Sequence, residues 1–424
     1  MYKIHSVKID SFWHRFNAGG QFNETVNIII GRNGTGKTTF MNILYAVLSV
    51  DIDGISANDF KSVSVILINN GKKIKVDAVK TEKLPSPFLN VEYRINGTKY
   101  IVQILSGEDA RRTSVYRRRA LELSEEVRTE LSKIVSLSSL SVYRLRSGDE
   151  YEIMDRLGSK AVTVTPVDRM LSTLLEGLTR YQLELSQKAR SVATSLQRDV
   201  LTSILYSDEE YNSREISLEF EKNKETENLI SAYTQLSVIN PAVVKKIEFH
   251  VASIDTAVNA LKSHSKNSKG SKMEVNFRAL EALQQTKKII KLSLNAEKET
   301  TAIFAQITLF ISILEDFVIN KKFSFNGGDL KVEANKEQIP YHSLSSGEKQ
   351  LLIILIETLL QNQKKYIFLM DEPELSLHIE WQREIIPAIM KLNPNAQIIA
   401  ATHSPEVASK YSDAIFDMED LVNG

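Results

Sequence analysis

Gly31-Arg32-Asn33-Gly34-Thr35-Gly36-Lys37-Thr38 is the stretch whose reading decides the fold. Its glycines at 31, 34 and 36 let the backbone bend so that several N–H groups converge on a phosphate. Lys37 offers charge to β- and γ-phosphates, and the Thr38 hydroxyl is a ligand for Mg²⁺. Asn33, Thr35 and Thr39 complete the set of candidate phosphate-contacting residues. The flanks agree with this P-loop reading. Thr25-Val26-Asn27-Ile28-Ile29-Ile30 reads as a buried strand, and Lys37 to about Leu48 as a helix whose N-terminus faces the phosphates. A glycine-rich turn of no chemical significance is the alternative, and a strand before it with a helix after it disfavours that.

Two further apolar runs end on chemistry. Tyr366-Ile367-Phe368-Leu369-Met370 reads as a central parallel strand and leads into Asp371-Glu372. A carboxylate at such a strand end reaches a Mg²⁺ shell, which assigns Asp371 as metal ligand and leaves Glu372 as general base for an attacking water. Gln397-Ile398-Ile399-Ala400-Ala401-Thr402 leads into His403, whose neutral imidazole can hydrogen-bond a γ-phosphate. Ser404-Pro405-Glu406 follows as an N-cap with proline at the first helical position. Taken alone, each is an ordinary capped strand end; after a P-loop the catalytic reading is favoured, with Lys37, Glu372 and His403 as the candidate catalytic residues.

Leu344-Ser345-Ser346-Gly347-Glu348-Lys349-Gln350 is similar to the signature motif of ABC-type ATPases. With the P-loop, Asp371-Glu372 and His403 in this order, the chain resembles the SMC-like branch of that family. Glu374-Leu375-Ser376-Leu377-His378 resembles the D-loop of ATPases related to the overcoming-lysogenisation-defect (OLD) nucleases, although Ile379 stands where that subgroup often has proline. The resemblance implies an α/β fold: a P-loop ABC-type head with an antiparallel β subdomain and a compact helical insertion lobe. It implies ATP and Mg²⁺ as cofactors, ATP hydrolysis, and a homodimer or higher oligomer. In such a dimer Ser345 and Gly347, with Ser346 and Glu348 beside them, contact the γ-phosphate bound by the opposite subunit. A helix from Glu348 to about Leu360 would aim its positive end at that anion. His378 either crosses the dimer interface or caps its own loop. In relatives the segment Trp13-His14-Arg15-Phe16 approaches the nucleoside, which makes Arg15 and Phe16 candidates; Gln103 is the nearest glutamine to the expected Q-loop.

Composition sets the boundaries. With 424 residues, 42% hydrophobic and 25% charged, the chain can build a large core and more than one lobe. It has no cysteine, which excludes disulfides, cysteine-bound zinc and thiol nucleophiles. Met1-Tyr2-Lys3 leads straight into a strand, Lys3 to Ile9, without a signal peptide. The apolar stretches Leu351–Leu360 and Ile303–Ile319 are short or interrupted by charge and read as buried helices, so the expectation is a cytoplasmic protein with no membrane partner. Net charge is zero, so nothing draws the whole chain to nucleic acid. Locally, Arg111, Arg112, Arg117, Arg118 and Arg119, then Arg144 and Arg146, and the run Lys262, Lys266, Lys269, Lys272 either track phosphates or form solvated faces paired with glutamates such as Glu122, Glu125 and Glu126.

Three segments are expected. Residues 1–105 give the P-loop and two hairpins, Val63–Ile68 with Ile74–Val79 and Val91–Ile95 with Lys99–Ile104, turning at Asn70-Gly71 and Asn96-Gly97. Residues 106–300 read as mainly helical: a leucine stripe including Leu171, Leu174, Leu178, Leu183 and Leu185, one or two helices over Thr165–Tyr206, and amphipathic candidates at Glu219–Leu236 and Asn276–Leu294. This lobe either supports packing and dimerisation or serves as a sensor platform; long heptad runs are absent. Residues 301–424 return to the head. The chain ends soon after His403, so a nuclease of the kind OLD proteins carry is expected on a separate polypeptide. The overall resemblance is to stand-alone ATPase subunits of anti-phage systems of the PARIS and Septu type. It implies a sensor or scaffold for an effector nuclease, with DNA or a phage protein as trigger. Alternatives are a DNA-repair clamp of the RecF type, a transporter ATPase and a scaffold that binds ATP without turnover.

Overall fold

The chain opens with β1 (Lys3–Phe12), β2 (Phe16–Gln21) and β3 (Val26–Ile30), then α1 (Lys37–Ser49) and α2 (Ile52–Ala57). A computed structural model describes residues 1–82, 88–105, 114–141, 151–154, 161–203, 219–236, 238–266 and 277–423. They fall into two units, residues 1–179 with 309–424, and residues 180–308.

The first unit is built on two sheets. β4 (Ser62–Asn69), β5 (Lys72–Glu82), β6 (Phe88–Ile95) and β7 (Thr98–Leu105) join β1 and β2 in an antiparallel sheet of order β2-β1-β4-β5-β6-β7. Both expected Asn-Gly turns form. Asn70 and Gly71, and Asn96 and Gly97, all have positive φ, the conformation that matches the twist of two-residue hairpins. In β4 the alternation puts Val63, Val65 and Leu67 in the core. The second sheet is parallel and uses β3, β8 (Leu137–Ser141), β14 (Tyr366–Asp371), β15 (Ala396–Ala401) and β16 (Ile415–Asp417), in the order β16-β3-β15-β14-β8. Its central strands are buried on both faces, which is why they read as continuous apolar runs. Between Gly31 and the sheets, α1 buries Phe40, Ile43, Leu44 and Val47 completely, in one core with both sheets. Each such side chain is worth roughly 1.5–3 kcal/mol of burial.

One polar side chain ties the two sheets together, and a second ties the antiparallel sheet to α1. Gln397, fully buried in β15, accepts from the Ile4 peptide N–H (2.7 Å) and donates to the carbonyls of Ile4 and Asn23 (2.7 Å each). Tyr93 of β6 donates its hydroxyl to the Val47 carbonyl of α1 (3.0 Å).

The head extends further into the middle of the chain than the 105/106 division expected from sequence. Helix α3 (Ser114–Ile134) buries Ala120, Val127 and Leu131 in the head core, and β8 is the fifth parallel strand, paired with β14. Leu137-Ser138-Ser139-Leu140-Ser141 is short, serine-rich and at a sheet edge, so it carries almost no strand signal. A hairpin of β9 (Tyr151–Met154) and β10 (Ala161–Val164) also interrupts the expected helical segment. Helix α4 (Pro166–Ser203) is one helix. Its buried stripe is Leu171, Leu174, Leu178, Leu185 and Leu196, whereas Leu183 is exposed because it lies off that face.

The second unit contains α5 (Lys222–Gln235), α6 (Pro241–Lys266) and much of α7 (Phe277–Phe317). Its core centres on Leu229, Ile247, Val251 and Ile290. Helix α6 is capped by Asn240, whose carboxamide accepts from the Ala242 and Val243 N–H groups (3.0 Å each). Lys262 therefore sits on a helix rather than in the expected loop. The two separate candidates Asn276–Leu294 and Ile303–Ile319 are one helix, since no glycine or proline interrupts residues 295–302. Residues Glu281–Phe317 of α7 are long and apolar enough to cross a membrane by length and composition. Ile303–Ile319 is only half buried: Ile307, Phe310, Ile313 and Leu314 form a covered stripe and Ile319 is exposed. The first unit is completed by β11 (Lys322–Asn326), β12 (Asp329–Ala334), β13 (Glu337–Gln338), α8 (Ser346–Leu360), α9 (Ile379–Leu392), α10 (Pro405–Ala408) and α11 (Met418–Asn423).

Gln397→Leu should lower the unfolding free energy by about 2–4 kcal/mol, because it strands the Ile4 peptide and the Asn23 carbonyl in the interior. Urea denaturation would measure this, and a loss below about 0.5 kcal/mol would show the tie to be dispensable.

Candidate functional site

The parallel strands carry the candidate residues to one edge. The loop after β3 turns back at Gly36, whose φ of 100° is left-handed. A Cβ there would meet Phe12 at 2.8 Å and Trp13 at 3.0 Å, so residue 36 must be glycine for space as well as for conformation. Lys37 is 5% exposed and donates to the carbonyls of Gly31 (2.8 Å) and Arg32 (3.1 Å). Burial lowers its pKa, opposed by the negative charges of Glu372, Asp371, Glu374 and Asp417. Thr35 closes the loop onto the Arg32 carbonyl (2.9 Å), and Asn33 and Gly34 form its exposed rim. Thr39 lies on α1, partly buried.

Asp371 ends β14 beside the loop and accepts from the Thr38 hydroxyl (3.2 Å). Burial, helped by Glu372 and Glu374, raises its pKa to about 6 against that hydrogen bond and the Lys37 charge. This carboxylate has more negative neighbours than its surroundings neutralise, and Thr38 adds a second hard oxygen. The pair fits Mg²⁺, which keeps several waters and takes few protein ligands. Among the described residues no group of three or more His, Asp or Glu side chains is arranged to hold a metal ion by itself.

Glu372 has a left-handed φ of 51°, uncommon for a residue with a Cβ. Its N–H donates to the Ala401 carbonyl (2.8 Å), so the end of β15 holds the turn in place. Strained backbone of this kind costs about 1–3 kcal/mol and concentrates at functional sites. His403 Nε2 lies 3.9 Å from Glu372 Oε1, beyond a direct hydrogen bond. Ser404 caps α10 as expected, accepting from the Glu406 N–H.

Ser345 caps α8 in a reciprocal box with Glu348. Glu348 also pairs with Lys321, both nearly buried. Burial pushes the Glu348 carboxyl up, but the Lys321 and Ser345 hydrogen bonds outweigh it, so its pKa lies below the ordinary value. Ser345 and Ser346 are exposed and Gly347 is buried. A Cβ at Gly347 would lie 2.4 Å from the Ser376 carbonyl oxygen, so the signature turn packs on the loop following Glu372. Among the described residues, the side chains of Ser345 and Glu348 bond within that turn and to Lys321, not to the P-loop.

Other expectations meet different outcomes. Arg15 is exposed in the β1–β2 turn, and Phe16 is 43% exposed. The residues packed on the P-loop are Phe12 and Trp13, stacked at 4.9 Å; their register against Gly36 is invisible in sequence. His378 is the N-cap residue of α9, its carbonyl accepting from the Trp381 N–H (2.9 Å) and Gln382 N–H (3.1 Å), while its ring makes no capping hydrogen bond. Gln103 is exposed in β7 opposite Asn90. Arg118 pairs with Glu122 (3.2 Å), as a solvated face would. Arg111, Arg112, Arg144, Arg146, Lys269 and Lys272 lie outside the described residues. Two residues that sequence reasoning gave no role, Glu374 and Gln382, bridge the loop after Glu372 to residues 402–404.

Residues 2–408 match the AAA ATPase domain family, and the chain belongs to it. It is 32% identical to the Retron Ec83 probable ATPase of Escherichia coli over 35% of this chain and 29% of that protein. It is 30% identical to the Septu protein PtuA of Bacillus thuringiensis over 19% of this chain and 23% of that protein. The matches to these curated relatives thus span less than a third of their length. Among solved structures it is similar to the Smc head domain of Pyrococcus furiosus bound to the C-terminal domain of ScpA (14% identity, 96% and 92% coverage, TM-score 0.43). It is also similar to the recombination mediator protein RecF (13% identity, 96% and 94% coverage, TM-score 0.36).

Gly347→Ala should lower kcat for ATP about a hundredfold, because the new methyl must displace the Ser376 carbonyl and with it the catalytic loop. Steady-state ATPase assays read this, and an unchanged kcat would contradict it. The depressed Glu348 pKa stabilises the fold fully above pH 4.5, and this contribution is lost as pH falls through the lower folded-state value. Glu348→Gln should therefore flatten the loss of melting temperature on acidification below pH 4.5, followed by thermal denaturation across pH.

Proposed function

We infer that this ATPase works as a nucleotide-sandwich dimer and serves as the sensor or scaffold subunit of an anti-phage defence system, controlling a separately encoded effector nuclease. The observation that carries the dimer is the separation of roles in the head. The P-loop, Asp371, Glu372 and His403 gather at one edge of the parallel sheet, while among the described residues the exposed Ser345-Ser346 turn at the start of α8 makes no hydrogen bond or ion pair to that P-loop. A capped helix N-terminus with exposed serines suits the γ-phosphate held by a second copy. The defence role is supported by the matches to a retron ATPase and to PtuA of Septu.

In this reading the backbone of residues 31–38 cradles the triphosphate, and Lys37 exchanges its loop carbonyls for β- and γ-phosphate oxygens. Thr38 and Asp371 would hold Mg²⁺, which would supply charge neutralisation to the phosphates. Glu372 takes a proton from the attacking water, and His403 donates to the γ-phosphate. Ser345 and Gly347 of the second copy complete the charge stabilisation, so binding closes the dimer and hydrolysis reopens it.

Lys37→Ala should abolish nucleotide binding. Glu372→Gln should retain ATP and shift the protein to a dimer on size-exclusion chromatography with light scattering; hydrolysis at the wild-type rate would remove Glu372 as the base. Co-purification of Glu372→Gln with the products of its neighbouring genes, in ATP and read by mass spectrometry, tests the wider role. A stoichiometric nuclease supports it, and recovery of DNA with repair proteins alone would move the function to a RecF-like clamp.

A further inference from the structure

Glu374 occupies a position that the proposed chemistry leaves unused. Its Oε1 accepts three hydrogen bonds at once, from Thr402 Oγ1 (2.6 Å), the His403 N–H (2.8 Å) and the Ser404 N–H (3.2 Å). Its Oε2 is buried and has no partner among the described residues. A buried carboxylate oxygen without a partner is costly, and such groups persist in native proteins where another demand fixes them. Here the demand is visible at Oε1, where three donors from consecutive residues converge on one atom.

Gln382 makes a second bridge between the same two segments. Its Nε2 donates to the Leu377 carbonyl (3.0 Å), and its Oε1 accepts from Ser404 Oγ (2.7 Å). Residues 374–377 and 402–404 are therefore joined at two points. The loop's opposite side is the Ser376 carbonyl under Gly347, with Ser376 held at a left-handed φ of 66°. A continuous contact runs from the signature turn through Ser376 and Glu374 to the backbone of His403.

We propose that Glu374 is a positioning residue that fixes the His403 backbone to the loop following Glu372, so that displacement of this loop at the signature turn is transmitted to the imidazole. The proposal rests on the reading of His403 as the group that contacts the γ-phosphate. It acts through geometry: the acceptor at Oε1 sets the direction of the His403 peptide, and the ring follows. Glu374 itself touches neither nucleotide nor water in this scheme.

The test is a double-mutant cycle on ATP turnover. Glu374→Ala removes the acceptor and should lower kcat about a hundredfold with KM for ATP within about threefold, since the Lys37 cradle is untouched. Glu374→Gln keeps an acceptor oxygen and should restore kcat to within about tenfold of wild type. Glu374→Ala added to His403→Ala should cost nothing further, because both act through one group. Equal losses in the Gln and Ala variants would assign the effect to charge and overturn the proposal. So would a fully additive double variant, or a loss confined to KM. Wild-type turnover by His403→Ala would instead overturn the underlying role of His403. If Glu374→Ala does not fold, Thr402→Val removes one of the three donors at nearly constant shape. It should lower kcat about three- to tenfold at unchanged KM, and unaltered kcat there would also count against the proposal.

Discussion

The buried cation at the phosphate loop organises this head. Lys37 is almost wholly removed from water, tied to two carbonyls of its own loop and surrounded by Asp371, Glu372, Glu374 and Asp417. An ammonium in such a place is tolerable only when its donors are satisfied and opposite charge is close. Both conditions are met by bringing strand ends distant in sequence to one point. β3 supplies the loop, β14 the Asp371-Glu372 pair and β16 Asp417, and parallel pairing in one sheet leaves their C-terminal ends together. Burial above all, with Glu372 and Glu374 beside it, raises the Asp371 pKa to about 6.

The surroundings hold that arrangement with directional bonds. Ala401 receives the N–H of Glu372 and so supports its left-handed backbone, while Glu374 and Gln382 fasten the following loop to the segment bearing His403. The signature turn rests on the same loop through Gly347, where no side chain fits. Strain, close approach and converging hydrogen bonds therefore occur within a few residues of Asp371 and Glu372. Away from the site the structure is ordinary, with alternating strands, Asn-Gly hairpins and helices buried along one stripe.

Much of the fold was legible because its signals are local. Glycine spacing at 31–36, unbroken apolar runs before Asp371 and His403, and Asn-Gly turns each specify backbone conformation within a few residues. The failures were also physical. β8 is serine-rich and gains its place from pairing with β14, so the head was drawn too short in the middle of the chain. Leu183 matched a leucine count but not the buried face of α4, and two apolar segments merged into α7 because nothing between them breaks a helix.

The sequence by itself determined the phosphate loop, the strand-end carboxylates, the capped signature helix and the absence of thiol chemistry, since each depends on residue type at short spacing. Only the tertiary structure decided that Phe12 and Trp13 pack on the P-loop. It alone placed Glu374 and Gln382 across from residues 402–404 and revealed Ser376 beneath Gly347. Those relations join residues many positions apart through register and loop geometry. No local pattern encodes them, because the partner of a side chain is fixed only when the strands that carry both are paired.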